Sequence, residues 1–281
     1  MCTYTFTQAQ LGRLKELGLD DLTLARSYSS AQERQKDFHR LEKEYMQANR
    51  KKLWELTNHT RQVSLCRLSD DLSCALREHG FTEVSTPTII SKKALEKMTI
   101  TEEDPLYAQV FWLGSGKALR PMLAPNLYDV SRSLIEIQGL PLRIFEIGSC
   151  FRKESEGNAH LNEFTMLNLV EWGTPLEERT GHLKEFAGIV LEAAGIQGYR
   201  FVEEESTVYG KGLDVVSDKG VELASTSMGP HPLDDAWKVT CSWTGIGFGL
   251  ERLLMVREQE RGIHRYSRSC RFMDGACLKI R

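Results

Sequence analysis

The sequence lacks any apolar run that approaches the roughly 20 residues needed to span a membrane as a helix. Residues 1–10 are polar and contain no apolar core of the kind found in a secretory signal. These two absences argue against a membrane protein and against a secreted one. We therefore expect a cytoplasmic protein.

Paired cysteines are also missing. The seven cysteines are dispersed without a CxxC pair, at positions 2, 66, 74, 150, 241, 270 and 277. An odd, dispersed set argues against a disulfide framework and against a structural zinc site, so we expect reduced thiols. The formal net charge is only −3, so any contact with RNA would need a local basic surface.

The common nucleotide-binding fingerprints are absent, although glycines alternate at positions 245, 247 and 249 before a helical run. Such glycines let a backbone approach a ligand closely. They match neither the GxGxxG fingerprint, which needs a βαβ unit, nor a P-loop, which ends in GKS or GKT. Arg252, in the first turn of the following helix, is a candidate functional residue; the alternative is a surface salt bridge with Glu251 or a neighbour.

The sequence does contain regular helical and strand patterns. Helices are predicted across residues 1–60, up to Gly80, at 126–138, at 176–194 and from about residue 250. Strands are predicted near 81–87, 109–113, 118–120, 143–151, 163–172, 199–208, 212–216 and 220–225. Mostly consecutive strands without βαβ alternation indicate an α+β fold with a largely antiparallel sheet flanked by helices.

Residues 33–52 form the most basic part of the amino-terminal segment. They include seven Lys or Arg against four Asp or Glu, a local charge of +3. This surface can contact RNA phosphates, or it can be a solvated helix face.

The strand pair at 143–151 and 163–172 is the most informative region. On the second strand, Phe164, Met166, Asn168 and Val170 share one face because side chains alternate. A carboxamide in so apolar a run needs hydrogen-bond partners, which are either protein backbone or a ligand amide. Arg152 follows the first strand directly, so its guanidinium is anchored and can bind phosphate or carboxylate bidentately.

Three segments together resemble motifs 1, 2 and 3 of class II aminoacyl-tRNA synthetases. They are the helix ending at Gly80 with the strand through Pro87, FRKE (151–154) with HLNEF (160–164), and GFGLER (247–252). Longer strings resemble the pyrrolysyl-tRNA synthetase family: KMTITEEDPLYAQVFWL (97–113), LRPMLAPNLY (119–128), RIFEIGSCFRKES (143–155), NEFTMLNL (162–169), VYG (208–210) and GFGLERLL (247–254). The resemblance implies the class II synthetase fold.

The resemblance also implies an activity and its cofactors. The enzyme would use ATP and Mg²⁺ to join pyrrolysine to a suppressor tRNA through an aminoacyl-adenylate. Arg152 and Arg252 would be catalytic, and the ATP-binding residues would be Arg152, Glu154, His160, Phe164, Glu222, Ser225 and Arg252. Glu222 and Ser225 would also contact the metal, which requires a bend or bulge because a regular strand points them to opposite faces.

The amino-acid pocket follows from the same resemblance. Its residues would be Ala124, Leu127, Tyr128, Met166, Asn168, Val170, Tyr209, Trp243 and Gly245. Asn168 would bond the side-chain amide carbonyl of pyrrolysine, and it offers no countercharge to the ammonium of free lysine. Val170 stands where many members have cysteine.

The remaining expectations concern domains and partners. Residues 1–60 would be a helical segment that contacts tRNA, and residues 61–281 the catalytic domain. A homodimer is implied through motif 1. The amino-terminal tRNA-binding domain of many members is missing, which fits either a catalytic subunit with a separate tRNA-binding protein or a type that lacks that domain. The alternatives are a class II synthetase for lysine or phenylalanine, and a non-catalytic tRNA-binding paralogue.

Overall fold

The computed structural model of the chain describes residues 3–153, 161–206, 210–260 and 262–280. Its α-helices are α1 (Gln8–Leu17), α2 (Asp21–Leu24), α3 (Ala31–Glu55), α4 (Ser64–Glu78), α5 (Lys92–Lys97), α6 (Pro105–Gln109), α7 (Ala124–Gln138), α8 (Arg179–Ala193), α9 (Asp234–Trp237) and α10 (Leu250–Arg257). None of the helices in these ranges is long and apolar enough to cross a bilayer.

The strands follow the same chain order. They are β1 (Tyr4–Thr5), β2 (Ser27–Tyr28), β3 (Thr82–Glu83), β4 (Ile89–Ser91), β5 (Trp112–Gly114), β6 (Lys117–Leu119), β7 (Leu142–Phe151), β8 (Glu163–Trp172), β9 (Tyr199–Ser206), β10 (Gly210–Ser217), β11 (Glu222–Gly229), β12 (Trp243–Gly249), β13 (Phe272–Met273) and β14 (Ala276–Cys277). The chain folds into two compact units, one of Met1–Ser64 with His264–Arg281 and one of Leu65–Ile263.

The first unit is mainly helical, and its long helix α3 is capped by Ser30, whose side chain accepts the backbone N–H of Glu33. Buried Asn49 on α3 donates to the carbonyl of Leu17 at 3.0 Å and accepts the backbone N–H of Cys277 at 2.6 Å. One carboxamide therefore joins α1, α3 and β14. The prediction of helices across residues 1–60 is confirmed in the main; it missed the short β1–β2 pair.

The second unit is built on a seven-stranded sheet in the order β3-β7-β8-β12-β11-β10-β9. Only β3 runs parallel to its neighbour among these described pairs, so the largely antiparallel α+β prediction is confirmed. Helix α7 covers one face, while α8 and α10 pack on the other. Side chains of β8 alternate accordingly, so even-numbered residues face α7 and odd-numbered residues face α8 and α10.

Three predicted strands had wrong boundaries, and β12 was not predicted as a strand. The strand predicted at 220–225 spans Glu222–Gly229. The strand predicted at 109–113 begins only at Trp112, because Asp104 caps a short helix that has Pro105 at its first position and runs to Gln109. The strand predicted through Pro87 ends at Glu83. Beyond it the chain leaves the sheet, and Thr86 donates from its backbone N–H to the buried carboxylate of Glu146 at 3.1 Å.

Candidate active site

A cavity of about 530 Å³ lies in the second unit, between α7 and the adjacent face of the sheet. Of the residues predicted for the site, thirteen line it: Ala124, Leu127, Tyr128, Arg152, Phe164, Met166, Asn168, Val170, Glu222, Ser225, Trp243, Gly245 and Arg252. Glu154, His160 and Tyr209 lie outside the described residues. The structure therefore brings together side chains from five elements and from the segment after β7.

Arg152 is anchored at one end of the cavity, as its position after β7 led us to expect. Its Nε donates to the carbonyl of Pro121 at 2.9 Å, and its guanidinium carbon lies 5.4 Å from the ring centroid of Phe164. The backbone N–H of Phe151 donates to the carbonyl of Arg120 at 2.9 Å. The carbonyl of Arg120 thus holds the end of β7, and the adjacent carbonyl of Pro121 holds the guanidinium of Arg152.

That supporting segment is itself fixed by a buried ion pair. Arg120 Nη1 lies 2.7 Å from Glu146 Oε1, and both side chains are almost completely buried. Arg120 also donates to the carbonyl of Ser149 at 2.8 Å, and the hydroxyl of Thr86 donates to Glu146 Oε2 at 2.5 Å. These extra hydrogen bonds satisfy the buried charges, whose desolvation would otherwise be costly.

Arg252 lies on the rim of the same cavity. Its Nη1 donates to the carbonyl of Glu222 at 3.1 Å and lies 3.2 Å from Glu222 Oε1. Arg252 therefore forms a salt bridge, as the alternative interpretation expected, but its partner is Glu222 and not Glu251. Both side chains are partly exposed, so this pair contributes little stability and can yield to a charged ligand.

Glu251 was missed by sequence reasoning as a functional residue. It is 2% exposed, and its carboxylate accepts the backbone N–H and the hydroxyl of Thr165, each at 2.9 Å. Because Phe164 precedes Thr165 and Arg252 follows Glu251, this contact fixes the cavity residues on both sides. The local sequence contained no signal for this role, because acidic residues near the start of a helix are common and usually solvated.

The strand β11 contains the irregularity that the sequence required. Val215 of β10 pairs with Ala224 and Val216 pairs with Glu222, so Leu223 is the extra residue of a β-bulge. As a result Glu222 and Ser225 both line the cavity. The hydroxyl of Ser225 donates to Asp214 Oδ1 at 2.9 Å.

These oxygen donors fit the chemistry of Mg²⁺ bound with a nucleotide. Magnesium keeps several waters and needs only one or two carboxylates beside substrate phosphates. Glu222 supplies a carboxylate that is half exposed on the cavity rim, and Ser225 adds a hydroxyl. Among the described residues no group of three or more His, Cys, Asp or Glu forms a complete metal cage.

Asn168 lies between the two ends of the cavity on the face of β8 that was predicted for it. Its Nδ2 donates to the carbonyl of Ile246 on β12 at 2.9 Å. This bond orients the carboxamide and satisfies one of its two N–H groups, as the backbone interpretation expected. The second N–H and the carbonyl oxygen retain hydrogen-bonding capacity for a ligand amide.

The opposite end of the cavity is apolar and aromatic. Leu127, Tyr128 and Trp243 are each less than 4% exposed, and Val170 packs in the same cluster. The ring of Tyr128 lies 5.9 Å from that of Trp243. Sequence reasoning missed three further lining residues here, Leu106, Met122 and Trp172. It also missed Asp234, which accepts hydrogen bonds from Tyr128 and Trp243.

Two titratable groups on β7 and β8 have perturbed pKa values. Burial disfavours the charged form of Glu171, yet hydrogen bonds from Arg143, Thr174 and His182 outweigh it and lower the pKa of this carboxyl. Burial raises the pKa of the Cys150 thiol to about 12. The thiol beside Arg152 therefore stays protonated and takes no part in nucleophilic chemistry.

Comparisons with known proteins find similarity to aminoacyl-tRNA synthetases. A family model described as "Phenylalanyl tRNA synthetase beta chain CLM domain" matches residues 56–219. A threonine–tRNA ligase of Cereibacter sphaeroides is 33% identical over 104 residues, which are 33% of this chain and 16% of that protein. The alpha subunit of a phenylalanine–tRNA ligase from Methanospirillum hungatei is 31% identical over 42% of this chain and 25% of that subunit. The chain thus spans well under half of these curated relatives.

Solved structures match over the full length. A crystal structure of pyrrolysyl-tRNA synthetase from Desulfitobacterium hafniense has 49% identity and a TM-score of 0.92, covering 99% of this chain and 99% of that one. A second structure of the synthetase from that organism has 48% identity and a TM-score of 0.89, covering 98% and 95%. The chain therefore belongs to the pyrrolysyl-tRNA synthetase family of class II aminoacyl-tRNA synthetases.

Proposed function

We propose that this synthetase uses ATP to join pyrrolysine to its suppressor tRNA. The observation that carries the proposal is the position of Asn168, a carboxamide held between a charged and an apolar end of one cavity. The described carboxylates that line the cavity, Glu222 and Glu251, belong to the charged end. A long side chain with an internal amide fits this order of polar and apolar groups. A free ammonium would be buried among lining residues that offer no countercharge, since the oxygens of Asp234 behind them already accept hydrogen bonds from Tyr128 and Trp243.

The reaction has two steps, an adenylyl transfer and an acyl transfer. In the first, the carboxylate of pyrrolysine attacks the α-phosphorus of ATP and displaces pyrophosphate. In the second, a terminal tRNA hydroxyl attacks the carbonyl of the adenylate, loses its proton and displaces AMP. No side chain acts as a nucleophile. Arg152 would bind the α-phosphate and the carboxylate, so that charge growing on the phosphate oxygens meets a fixed guanidinium. Phe164 and Arg252 would hold the adenine.

Glu222 and Ser225 would hold Mg²⁺ beside the phosphates, where the ion supplies neutralising charge. The same family implies contacts from Glu154 and His160 to the nucleotide and from Tyr209 to the amino acid. We also include in the proposal a cytoplasmic location, a homodimer, and tRNA contact by residues 1–60. Delivery of the tRNA would occur either with or without a separate tRNA-binding protein.

Two other functions remain as comparisons for the test. The match to a phenylalanyl-tRNA synthetase family model favours phenylalanine as the next amino acid to try, and lysine is the smaller relative of pyrrolysine. A non-catalytic tRNA-binding paralogue is less well supported because Arg152 and Arg252 are both present in the cavity.

ATP–pyrophosphate exchange with a panel of amino acids tests the proposal. We expect exchange with pyrrolysine and with Nε-acylated lysines, and at least about 100-fold less kcat/KM with lysine, because an unpaired buried ammonium costs several kcal/mol. Phenylalanine should give exchange only at high concentration. Equal or better exchange with lysine or phenylalanine would overturn the assignment of the amino acid, and no exchange with any compound would favour the paralogue.

A further inference from the structure

Asp234 is a buried carboxylate that the proposed reaction does not use. It lies at the start of α9 and is 4% exposed. Both of its oxygens lie 3.0 Å from the indole Nε1 of Trp243, and Oδ1 also accepts the hydroxyl of Tyr128 at 2.8 Å. Oδ2 accepts the backbone N–H of His231 at 2.7 Å. The carboxylate therefore joins two residues of the apolar end that come from α7 and β12.

The two rings that Asp234 holds have little freedom to move elsewhere. A Cβ on Gly229, which pairs with Trp243 across β11 and β12, would lie 1.9 Å from the indole Nε1. The ring of Tyr128 stacks on Trp237 at 5.4 Å and meets Trp172 edge-on at 5.0 Å. Trp243 thus lies flat over a glycine, and Tyr128 sits within an aromatic cluster.

The chemistry of these contacts requires a carboxylate. Three different groups donate to Asp234, and an ionised carboxylate can accept all of them because both oxygens are acceptors. An asparagine has one acceptor oxygen, and its NH₂ group is a donor. In its place, that NH₂ group would face at least one of the same three donors, which would then lack an acceptor. A buried charge is tolerated here because its hydrogen bonds are charge-assisted.

We infer that Asp234 is a positioning residue that fixes Tyr128 and Trp243 and thereby sets the shape of the amino-acid end of the cavity. It acts on the choice of amino acid and leaves the ATP end unaffected. The identity of the amino acid rests on the proposed function; the position of the rings does not. The inference adds a residue outside the three synthetase motifs to the determinants of specificity.

The first test compares Asp234→Asn with Asp235→Asn, whose side chain is exposed on the same helix. For Asp234→Asn we expect the KM for the activated amino acid to rise about tenfold or more, since hydrogen bonds to a charged group are lost. The KM for ATP should stay within about twofold. The ratio of the kcat/KM values for preferred and less preferred Nε-acyl groups should fall by about tenfold. Asp235→Asn should match the wild type. Equal changes in both KM values, or no change in either, would overturn the inference.

A second measurement needs no substrate. The ¹⁵N-indole resonance of Trp243, assigned by its disappearance in Trp243→Phe, should move in Asp234→Asn and stay fixed in Asp235→Asn. If Asp234→Asn does not fold, Tyr128→Phe replaces it, because loss of the hydroxyl changes the same Oδ1 and should also move the indole resonance. An unmoved resonance would refute the inference. If the wild-type enzyme activates no acylated lysine, the proposed function is refuted. The resonance measurement still tests the role of Asp234 in that case, because it needs no substrate.

Discussion

The two ends of the cavity are held in place by different means. At the charged end, Arg152 and Arg252 each donate to a main-chain carbonyl, Arg252 also pairs with the carboxylate of Glu222, and both arginines remain partly exposed to solvent. At the apolar end, Tyr128 and Trp243 are buried and donate to one carboxylate, that of Asp234. The guanidiniums therefore have contacts that solvent and a charged ligand can reach, whereas the rings share one buried acceptor. We expect changes at the charged end to affect every amino acid, and changes at the apolar end to affect the choice among them.

The largest effect should come from Arg152→Ala. Loss of a fixed guanidinium at the reacting phosphate should lower ATP–pyrophosphate exchange by about 100- to 1000-fold for every amino acid that the enzyme activates. Arg152→Lys should recover only part of the rate, because lysine cannot bind bidentately. Lys153→Ala alters the exposed next residue and serves as the control. Exchange by Arg152→Ala at the wild-type rate would contradict the role of this residue.

An intermediate effect is expected at the boundary between the two ends. Asn168→Ala removes the carboxamide that Ile246 orients, so kcat/KM for pyrrolysine should fall about 10- to 100-fold through one or two lost hydrogen bonds. Because the charged end is unchanged, the KM for ATP serves as the internal control and should remain within about twofold. Discrimination against lysine should weaken in the same variant. A drop shared equally by all amino acids would instead place Asn168 in a purely structural role.

The smallest effect on activity should come from a substitution of Glu171, whose side chain lies on the face of the sheet opposite the cavity. Its pKa is lowered in the folded state, so the native protein binds fewer protons than the unfolded chain. The stability from Glu171 is present above the unfolded pKa of about 4.3 and is lost as the pH falls through the folded value.

Glu171→Gln should therefore lower Tm near neutral pH and flatten its decline below about pH 5, while both KM values stay close to wild type. Thermal melts across a pH series measure this. Glu178→Gln is the matched control, since Glu178 approaches the same His182 at 3.4 Å but is exposed. A parallel loss of stability at all pH values would mean that packing, rather than ionisation, explains the effect.

The comparison of the two ends also explains what the sequence could predict. The strand pair that became β7 and β8 was predicted within a residue at each end, because its alternation is regular and both boundaries are clear. The need for a bulge between Glu222 and Ser225 was predicted from side-chain parity together with the shared role that the family resemblance implied for both residues, and β11 contains it. Charged-end residues stand in short motifs, so their common location could be predicted.

Asp234 and Glu251 could not be found in this way. Each is a buried carboxylate whose partners are distant in the chain: Tyr128 lies 106 residues from Asp234, and Thr165 lies 86 residues from Glu251. Local pattern contains no information about such pairs, since an acidic residue near a helix start is usually solvated and stabilises the helix dipole. The short strand near Trp112 was misplaced for a similar reason, because the cap by Asp104 outweighed the strand-forming residues that follow.

The contact between Glu251 and Thr165 has a consequence for how this enzyme tolerates change. Insertions or deletions between β8 and α10 would alter loops and edge strands. Because the Glu251 carboxylate accepts the backbone N–H of Thr165, such changes would leave the distance between the adjacent Phe164 ring and Arg252 guanidinium unchanged. The relative position of Phe164 and Arg252 is thereby uncoupled from loop length. The edge strand β9 can diverge without moving that ring or that guanidinium.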